Sequence, residues 1–179
     1  MASATQVLMD EHRGIERMLA AMEAQAPRLE AGEGGPVTLF EQGVDFLRNF
    51  ADRCHHHKEE LLLFPLLVER GVPSRGGPIG VLLAEHEMGR AEIRAMDEAI
   101  RRYRAGELSA LDELAASARR YVALLRQHIR KEDEVLFRMA DEVLSSDDQA
   151  RLAADFDRVE QDVMGPGTHE RYHKMLDSI

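Results

Sequence analysis

Four long segments of this 179-residue chain place apolar residues at spacings of three and four, and no other feature constrains the fold as strongly. This spacing puts an apolar stripe along one side of a helix, and the stripe has to be buried against neighbouring helices. Breaks rich in glycine and proline lie at residues 31–36 and 71–78, and a weaker break lies at 105–106. The predicted helices span about 4–26, 37–70, 79–104 and 110–144.

Long helices joined by short connections predict an up-down-up-down four-helix bundle of the all-α class. Two shorter helices are predicted after it, over about 147–163 and 168–178. We therefore expect a bundle domain over residues 1–144 and a C-terminal helical extension over residues 145–179 that packs on the bundle. No segment has the period-two alternation of a half-buried β-strand.

The formal net charge of −10 makes a nucleic-acid backbone or an anionic membrane surface an unfavourable partner. No apolar run approaches the roughly 18–20 residues of a membrane-spanning helix. Residues 1–10 lack the basic start and apolar stretch of a signal peptide. The single cysteine, Cys54, cannot form an internal disulfide, which fits a reducing compartment. We expect a cytoplasmic protein with no nucleic-acid partner and no membrane partner.

A histidine interrupts the apolar stripe of every long helix at one level, and these residues are His12, His55, His86 and His128. A single histidine on an apolar face is usually a satisfied core residue. Four such groups buried together without compensation would be costly, whereas a metal ion satisfies all of them. Glu59 and Glu132 follow the second and fourth histidines by four residues, so each pair projects from one helix face, one turn apart.

Carboxylates combined with imidazoles suit iron, manganese or zinc better than copper(I). A carboxylate has two oxygens, so one side chain can bridge two neighbouring ions. Bundle cores commonly build metal sites from inward-facing Glu and His side chains on different helices. The spacing of these residues therefore predicts a metal site inside the bundle.

The two His–Glu pairs lie in an internal repeat. Residues 55–64 (HHHKEELLLF) align without gaps to residues 128–137 (HIRKEDEVLF). Identities fall at the first His, the Lys, the first Glu, the final Leu and the Phe. Such a repeat indicates a pseudo-twofold bundle in which two helices donate equivalent ligands.

The chain resembles the hemerythrin-like, cation-binding HHE family across about residues 5–144. The matching segments are residues 10–13 (DEHR), 54–60 (CHHHKEE), 61–65 (LLLFP), 84–90 (AEHEMGR) and 128–137. The resemblance implies a four-helix bundle holding two non-haem iron ions joined by an oxo or hydroxo bridge. Carried onto this chain, it implies Glu59 and Glu132 as bridging carboxylates within the ligand set His12, His55, Glu59, His86, His128 and Glu132. The same donors also suit other divalent metals.

The second helix offers His56 with Glu60 as a rival to His55 with Glu59. We favour the latter pair because its stripe stays apolar in both directions, and we expect His56 and His57 to lie outside the ligand set or at the surface.

On the fourth helix, oxygen-carrying hemerythrins place an Asp five residues after the histidine, which would be Asp133. Proteins of the HHE family more often use the Glu at four residues, which favours Glu132.

The third helix departs from the oxygen carriers, because Arg90 stands where they have a second histidine after His86. A guanidinium stays protonated and is a poor metal ligand. One metal ion would then have an open coordination position, bind more weakly, or be coordinated by another side chain. His169 and His173, four apart near the C-terminus, are candidates for that place, or surface residues of a short helix. Arg90 itself could pair with a carboxylate or a bound anion.

The family houses oxygen carriers, oxygen and iron sensors and nitrosative-stress proteins. The resemblance therefore implies a small-molecule partner such as dioxygen, nitric oxide or peroxide, and we expect a protein that binds or senses dioxygen or a related ligand. The alternative is a di-iron enzyme or stress-response factor that acts on peroxide or nitric oxide or repairs iron–sulfur centres. A metal-free helical interaction domain is the third hypothesis. The sequence does not indicate a redox partner.

Overall fold

The structure, a computed structural model, describes residues 3–165 and 167–179, apart from the side chain of His169. These residues contain no β-strand, which confirms the predicted all-α class. None of the helices in the described ranges has the length and apolar content needed to cross a membrane. The helical elements are α1 (Ala4–Glu30), α2 (Val37–Phe46), π1 (Leu47–His56), π2 (Glu59–Leu63), α3 (Phe64–Glu69), α4 (Pro78–Arg104), α5 (Ala110–Lys131), π3 (Glu132–Leu136), α6 (Phe137–Val143), α7 (Ser146–Val159), π4 (Glu160–Met164) and α8 (Thr168–Asp177).

Wide π-helical turns occur inside two of the four long helices. The second long helix runs from α2 through π1 and π2 into α3 without a break, and the fourth runs from α5 through π3 into α6. Two of these turns, π2 and π3, begin at Glu59 and Glu132, which are equivalent positions of the internal repeat. A π-turn inside an α-helix is rare and is frequently found at a functional site.

The four long helices form a ring in which each packs against two neighbours. The first helix contacts the second and the fourth, and the third helix also contacts the second and the fourth. The following helices α7 and α8 pack against α1, and α7 also contacts π2. A capping box formed by Ser145 and Asp148 starts α7, and Arg70 at the end of the second helix pairs with Asp148 at 2.8 Å. The exact division at residue 144 stays a prediction.

A polar layer divides the bundle core into two hydrophobic clusters. On α1, for example, Leu8 belongs to one cluster and Ile15 to the other, with His12 between them. The fourth helix repeats this order, because Leu125 and Leu136 lie in different clusters on either side of the layer. The predicted histidine level is therefore surrounded by apolar side chains above and below.

The inward face after the polar layer differs by one residue from the prediction. Regular helical spacing predicts Leu62 and Val135, each three residues after a glutamate of the repeat, on the inward face, but Leu63 and Leu136 are fully buried there, and Val135 is 48% exposed. The cause is the π-turn, because a wider turn uses one more residue before the chain faces the core again. The difference is clear at Val135, whereas Leu62 is partly buried against the same hydrophobic cluster and Leu66 is buried again, as regular helical spacing predicts.

Candidate metal centre

The structure brings all six predicted donors together at the polar layer. Each of them is at most 1% exposed, and every long helix contributes at least one: His12, His55, Glu59, His86, His128 and Glu132. Their clustering is a property of the fold, whereas their role as metal ligands stays a prediction. The six groups occupy a site that is closed to bulk solvent.

The donors form two overlapping groups, and one donor atom from each residue lies within 4.8 Å of the others in its group. We call the first group, made of His12, His55, Glu59 and Glu132, the His12 site. The second group, made of His56, Glu59, His86 and His128, is the His56 site. The overlap at Glu59 places the two sites side by side, which is the arrangement of a two-metal centre.

Both carboxylates face both sites with different oxygens. The distances from carboxylate oxygen to histidine Nε2 are 3.5 Å for Glu59 Oε1 to His55, 3.5 Å for Glu59 Oε2 to His86, 3.2 Å for Glu132 Oε2 to His12 and 3.2 Å for Glu132 Oε1 to His128. A side chain with one oxygen on each side is placed to bridge two ions. This geometry supports the predicted role of Glu59 and Glu132.

Several polar atoms at the layer are buried and form no hydrogen bond. They include both oxygens of Glu59, both oxygens of Glu132, and Nε2 of His12 and of His55. A buried polar atom without a partner costs roughly 1–3 kcal/mol, so a cluster of them would be strongly unfavourable. Two cations between the carboxylates would satisfy all of these atoms. The donor chemistry therefore fits a pair of metal ions.

The pKa values of the layer are shifted in both directions. Burial and the neighbouring negative charge of Glu132 raise the pKa of Glu59 well above its usual value. Burial lowers the pKa of His55 to about 4. Burial also opposes protonation of His128, but the adjacent carboxylates Glu132 and Glu85 outweigh it and raise the pKa of His128 to about 9. In the metal-free protein the polar layer thus contains both protonated and deprotonated side chains. Metal cations would displace the protons from the protonated side chains.

The sequence prediction missed His56, which the structure places in the ligand cluster. His56 is buried, and its ring stacks on that of His86 with 3.9 Å between centroids. His55 and His56 are both buried and both lie in π1, whose wider turns displace side chains from the α-helical register. A run of three histidines was the available signal; the alternative that His56 lies at the surface was wrong, and its role as a metal ligand stays a prediction.

Arg90 belongs to neither donor group, whereas His56 lies in the same group as His86. Arg90 pairs instead with carboxylates, as one of the alternatives anticipated. His173 lines a cavity of about 200 Å³ beside Glu11 and belongs to neither metal site. The side chain of His169 lies outside the described residues. Of the three alternatives for the third helix, the structure offers another side chain, His56, and the coordination of either ion stays a prediction.

Each of the five histidines has a carboxylate beside Nδ1. The pairs are His12–Asp133 at 2.6 Å, His55–Glu11 at 2.8 Å, His86–Glu60 at 2.6 Å, His128–Glu85 at 3.0 Å and, more loosely, His56–Asp52 at 3.5 Å. A carboxylate on Nδ1 fixes the ring orientation and leaves the other nitrogen for a metal. Asp133, the rival donor on the fourth helix, pairs with His12 and belongs to neither donor group.

Cations pair with these outer carboxylates, and the pairing follows the internal repeat. The pairs are Lys58 with Glu11, Lys131 with Glu85, Arg13 with Asp133, and Arg90 with both Glu60 and Asp52. The sequence carried a signal for this outer layer, since most of the acids stand directly beside a donor in the chain, as Glu11 does beside His12. The two repeat segments therefore contain both predicted metal donors and residues of the charged pairs around them.

We expect the substitution Lys58→Met to lower the free energy of unfolding of the metal-free protein by about 3–5 kcal/mol. Lys58 is completely buried, and its loss would leave the buried carboxylate of Glu11 without a cation. The matched control is Lys131→Met at the equivalent position, where the side chain is 41% exposed and at most about 1 kcal/mol is expected. Urea denaturation of both variants measures the difference, and equal losses would contradict it.

Comparison with known families agrees with this geometry. The family model described as hemerythrin HHE cation binding domain matches residues 3–140. The chain belongs to this family. The match covers all four long helices apart from the last few residues of the fourth, and it confirms the resemblance drawn from the motifs. Membership of the HHE family establishes a cation-binding fold, and the two buried donor groups are where this HHE domain could hold metal.

Curated relatives of this HHE domain occur in mycobacteria. One protein from Mycobacterium tuberculosis and one from Mycobacterium bovis are each 26% identical over 155 residues, and both are described as uncharacterized proteins. The aligned part is 87% of this chain and 60% of each relative. The chain therefore spans about 60% of the length of the curated relatives that it matches.

Proposed function

We propose that this HHE domain binds two iron ions between its four long helices and uses them to bind dioxygen or a related small molecule. The observation that carries the proposal is the pair of buried carboxylates, each with one oxygen towards either donor group and none of its oxygens hydrogen-bonded. Two cations in these groups would neutralise Glu59 and Glu132 and complete the coordination of five imidazoles.

The donor types suit iron, manganese or zinc, and membership of the HHE family favours iron among them. Imidazole and carboxylate suit iron, whereas soft copper(I) prefers sulfur ligands, and Cys54 belongs to neither donor group. When bound, a pair of irons would supply redox chemistry and a Lewis-acidic position for a small ligand. The protein's own contribution is the fixed donor set, its outer carboxylates and a surrounding of apolar side chains that excludes water.

The two sites offer unequal numbers of donors. The His56 site has three imidazoles and faces one oxygen of each bridging carboxylate, whereas the His12 site has two imidazoles and two such oxygens. An ion in the His12 site therefore has fewer protein ligands, and we place the exogenous ligand there. This replaces the expectation that Arg90 creates the open position.

An iron-loaded chain tests the proposal through its spectrum. We expect azide or nitric oxide to change the iron absorption with a stoichiometry of one ligand per chain, because one site has the smaller donor set. The zinc-loaded protein serves as the control for changes unrelated to iron. A spectrum that no small ligand perturbs would contradict the proposal. Repeated consumption of peroxide or nitric oxide would instead favour the enzyme hypothesis, which uses the same centre.

A further inference from the structure

The Arg90 side chain connects two outer carboxylates on the second helix. Its Nε atom lies 2.7 Å from Asp52 Oδ1, and its Nη2 atom lies 2.7 Å from Glu60 Oε1. Its remaining nitrogen, Nη1, pairs with Glu87 on its own helix at 2.7 Å. Arg90 is only 22% exposed, so the guanidinium is held on all sides. A planar guanidinium is suited to fixing two carboxylates in one geometry.

The two oxygens that Arg90 contacts also face histidines of the His56 site. Glu60 Oε1 lies 2.6 Å from Nδ1 of His86, and Asp52 Oδ1 lies 3.5 Å from Nδ1 of His56. The Asp52 contact is not a hydrogen bond, since Nδ1 of His56 has no hydrogen-bond partner among the described residues, so Arg90 is the group that holds Asp52 beside His56. Both links lead to the same metal site.

We propose that Arg90 is a positioning residue that orients His86 and His56 for the ion in the His56 site through Glu60 and Asp52. This inference rests on the proposed two-metal centre. Arg90 then compensates for the histidine that it replaces on the third helix, because it stabilises the position of the histidine supplied by π1. A single residue supports two of the three imidazoles of one site.

A similar arginine–carboxylate pair lies beside the His12 site. Arg13 pairs with Asp133, and Asp133 lies 2.6 Å from Nδ1 of His12 in the His12 site. Arg13 supports a single histidine and is 54% exposed, so its contribution is expected to be smaller. The two arginines therefore act on different ions.

The test is an anaerobic titration of the metal-free full-length chain with ferrous iron in competition with a chelator. We expect Arg90→Gln to weaken the binding of one ion by about ten- to a hundredfold and to leave the other ion at its wild-type affinity. Arg13→Gln should weaken the other ion by less. Arg101→Gln is the control on the same helix, since Arg101 pairs with Asp97 at 2.6 Å at the surface, and it should bind as wild type does.

A purely structural role would predict a different result, namely equal weakening of both ions or lower stability with unchanged affinities. Either outcome would overturn the inference. Wild-type iron affinity in Arg90→Lys would also overturn it, because one ammonium cannot hold both carboxylates in the same geometry. If Arg90→Gln fails to fold, Asp52→Asn tests the same link, and unchanged binding by it refutes the proposal. A wild-type chain that binds no iron would refute the metal centre itself, which is a distinguishable result.

Discussion

We expect the chain with both Glu59→Ala and Glu132→Ala to bind neither metal ion. Each of these carboxylates faces both donor sites, and in the part of the chain that the structure describes no other carboxylate belongs to either site. The remaining imidazoles would have to hold two dications without an anionic bridge, which iron disfavours. The effect on metal content should be the largest of any pair of substitutions at the layer.

Elemental analysis of the purified double variant measures this loss, and circular dichroism checks that its helices remain. The matched control carries Glu69→Ala and Glu134→Ala, which remove two exposed glutamates from the same two long helices. The control should keep the wild-type metal content. A double variant of Glu59 and Glu132 that retains full iron would disprove the assignment of the bridges.

The second large effect is expected from His56→Ala, which should bind one ion in place of two. His56 supplies one of three imidazoles of the His56 site and no donor of the His12 site. Loss of the His56 imidazole should therefore remove tight binding of an ion at the His56 site and leave the affinity of the His12 site unchanged. Stepwise titration with ferrous iron resolves the two affinities.

The neighbouring variant His57→Ala is the control, because His57 is only partly buried and belongs to neither donor site. It should bind both ions as the wild type does. If His56→Ala binds two ions with unchanged affinity, then His56 is not a ligand, and the missing donor has to come from elsewhere.

The bundle could be predicted from the sequence because its causes are local. The stripe that carries Leu8 and Ile15 follows from helical spacing, and the glycine-rich breaks near residues 31–36 and 71–78 end the helices for steric reasons. Six of the seven residues in the two donor groups could also be predicted, since a histidine on every apolar stripe is costly without a metal, and only His56 was missed. These signals depend only on a residue and its neighbours within two turns.

The π-turns could not be predicted, because they depend on tertiary packing at the polar layer. A regular helix would place His55 inward and turn His56 away, so the sequence favoured only one of them. The same turns shift the inward face from Val135 to Leu136. His56 and Val135, the two residues whose burial regular spacing does not predict, both lie in π-helical segments.

The outer layer was visible in the sequence only as acids and bases beside the donors. Glu11 precedes His12 and Lys58 precedes Glu59, but helix geometry alone does not say which histidine each one supports. Glu11 in fact contacts His55 on another helix. Pairings of this kind depend on how neighbouring helices pack, which no local spacing encodes.

The most direct test of the central claim is the iron content of the full chain purified from iron-replete cells, measured together with its optical spectrum. The two donor sites predict two irons per chain and an iron absorption that changes when the protein is reduced and again when air is admitted. A folded chain purified without metal, or one whose metal content stays at a single ion when iron is in excess, would contradict the claim.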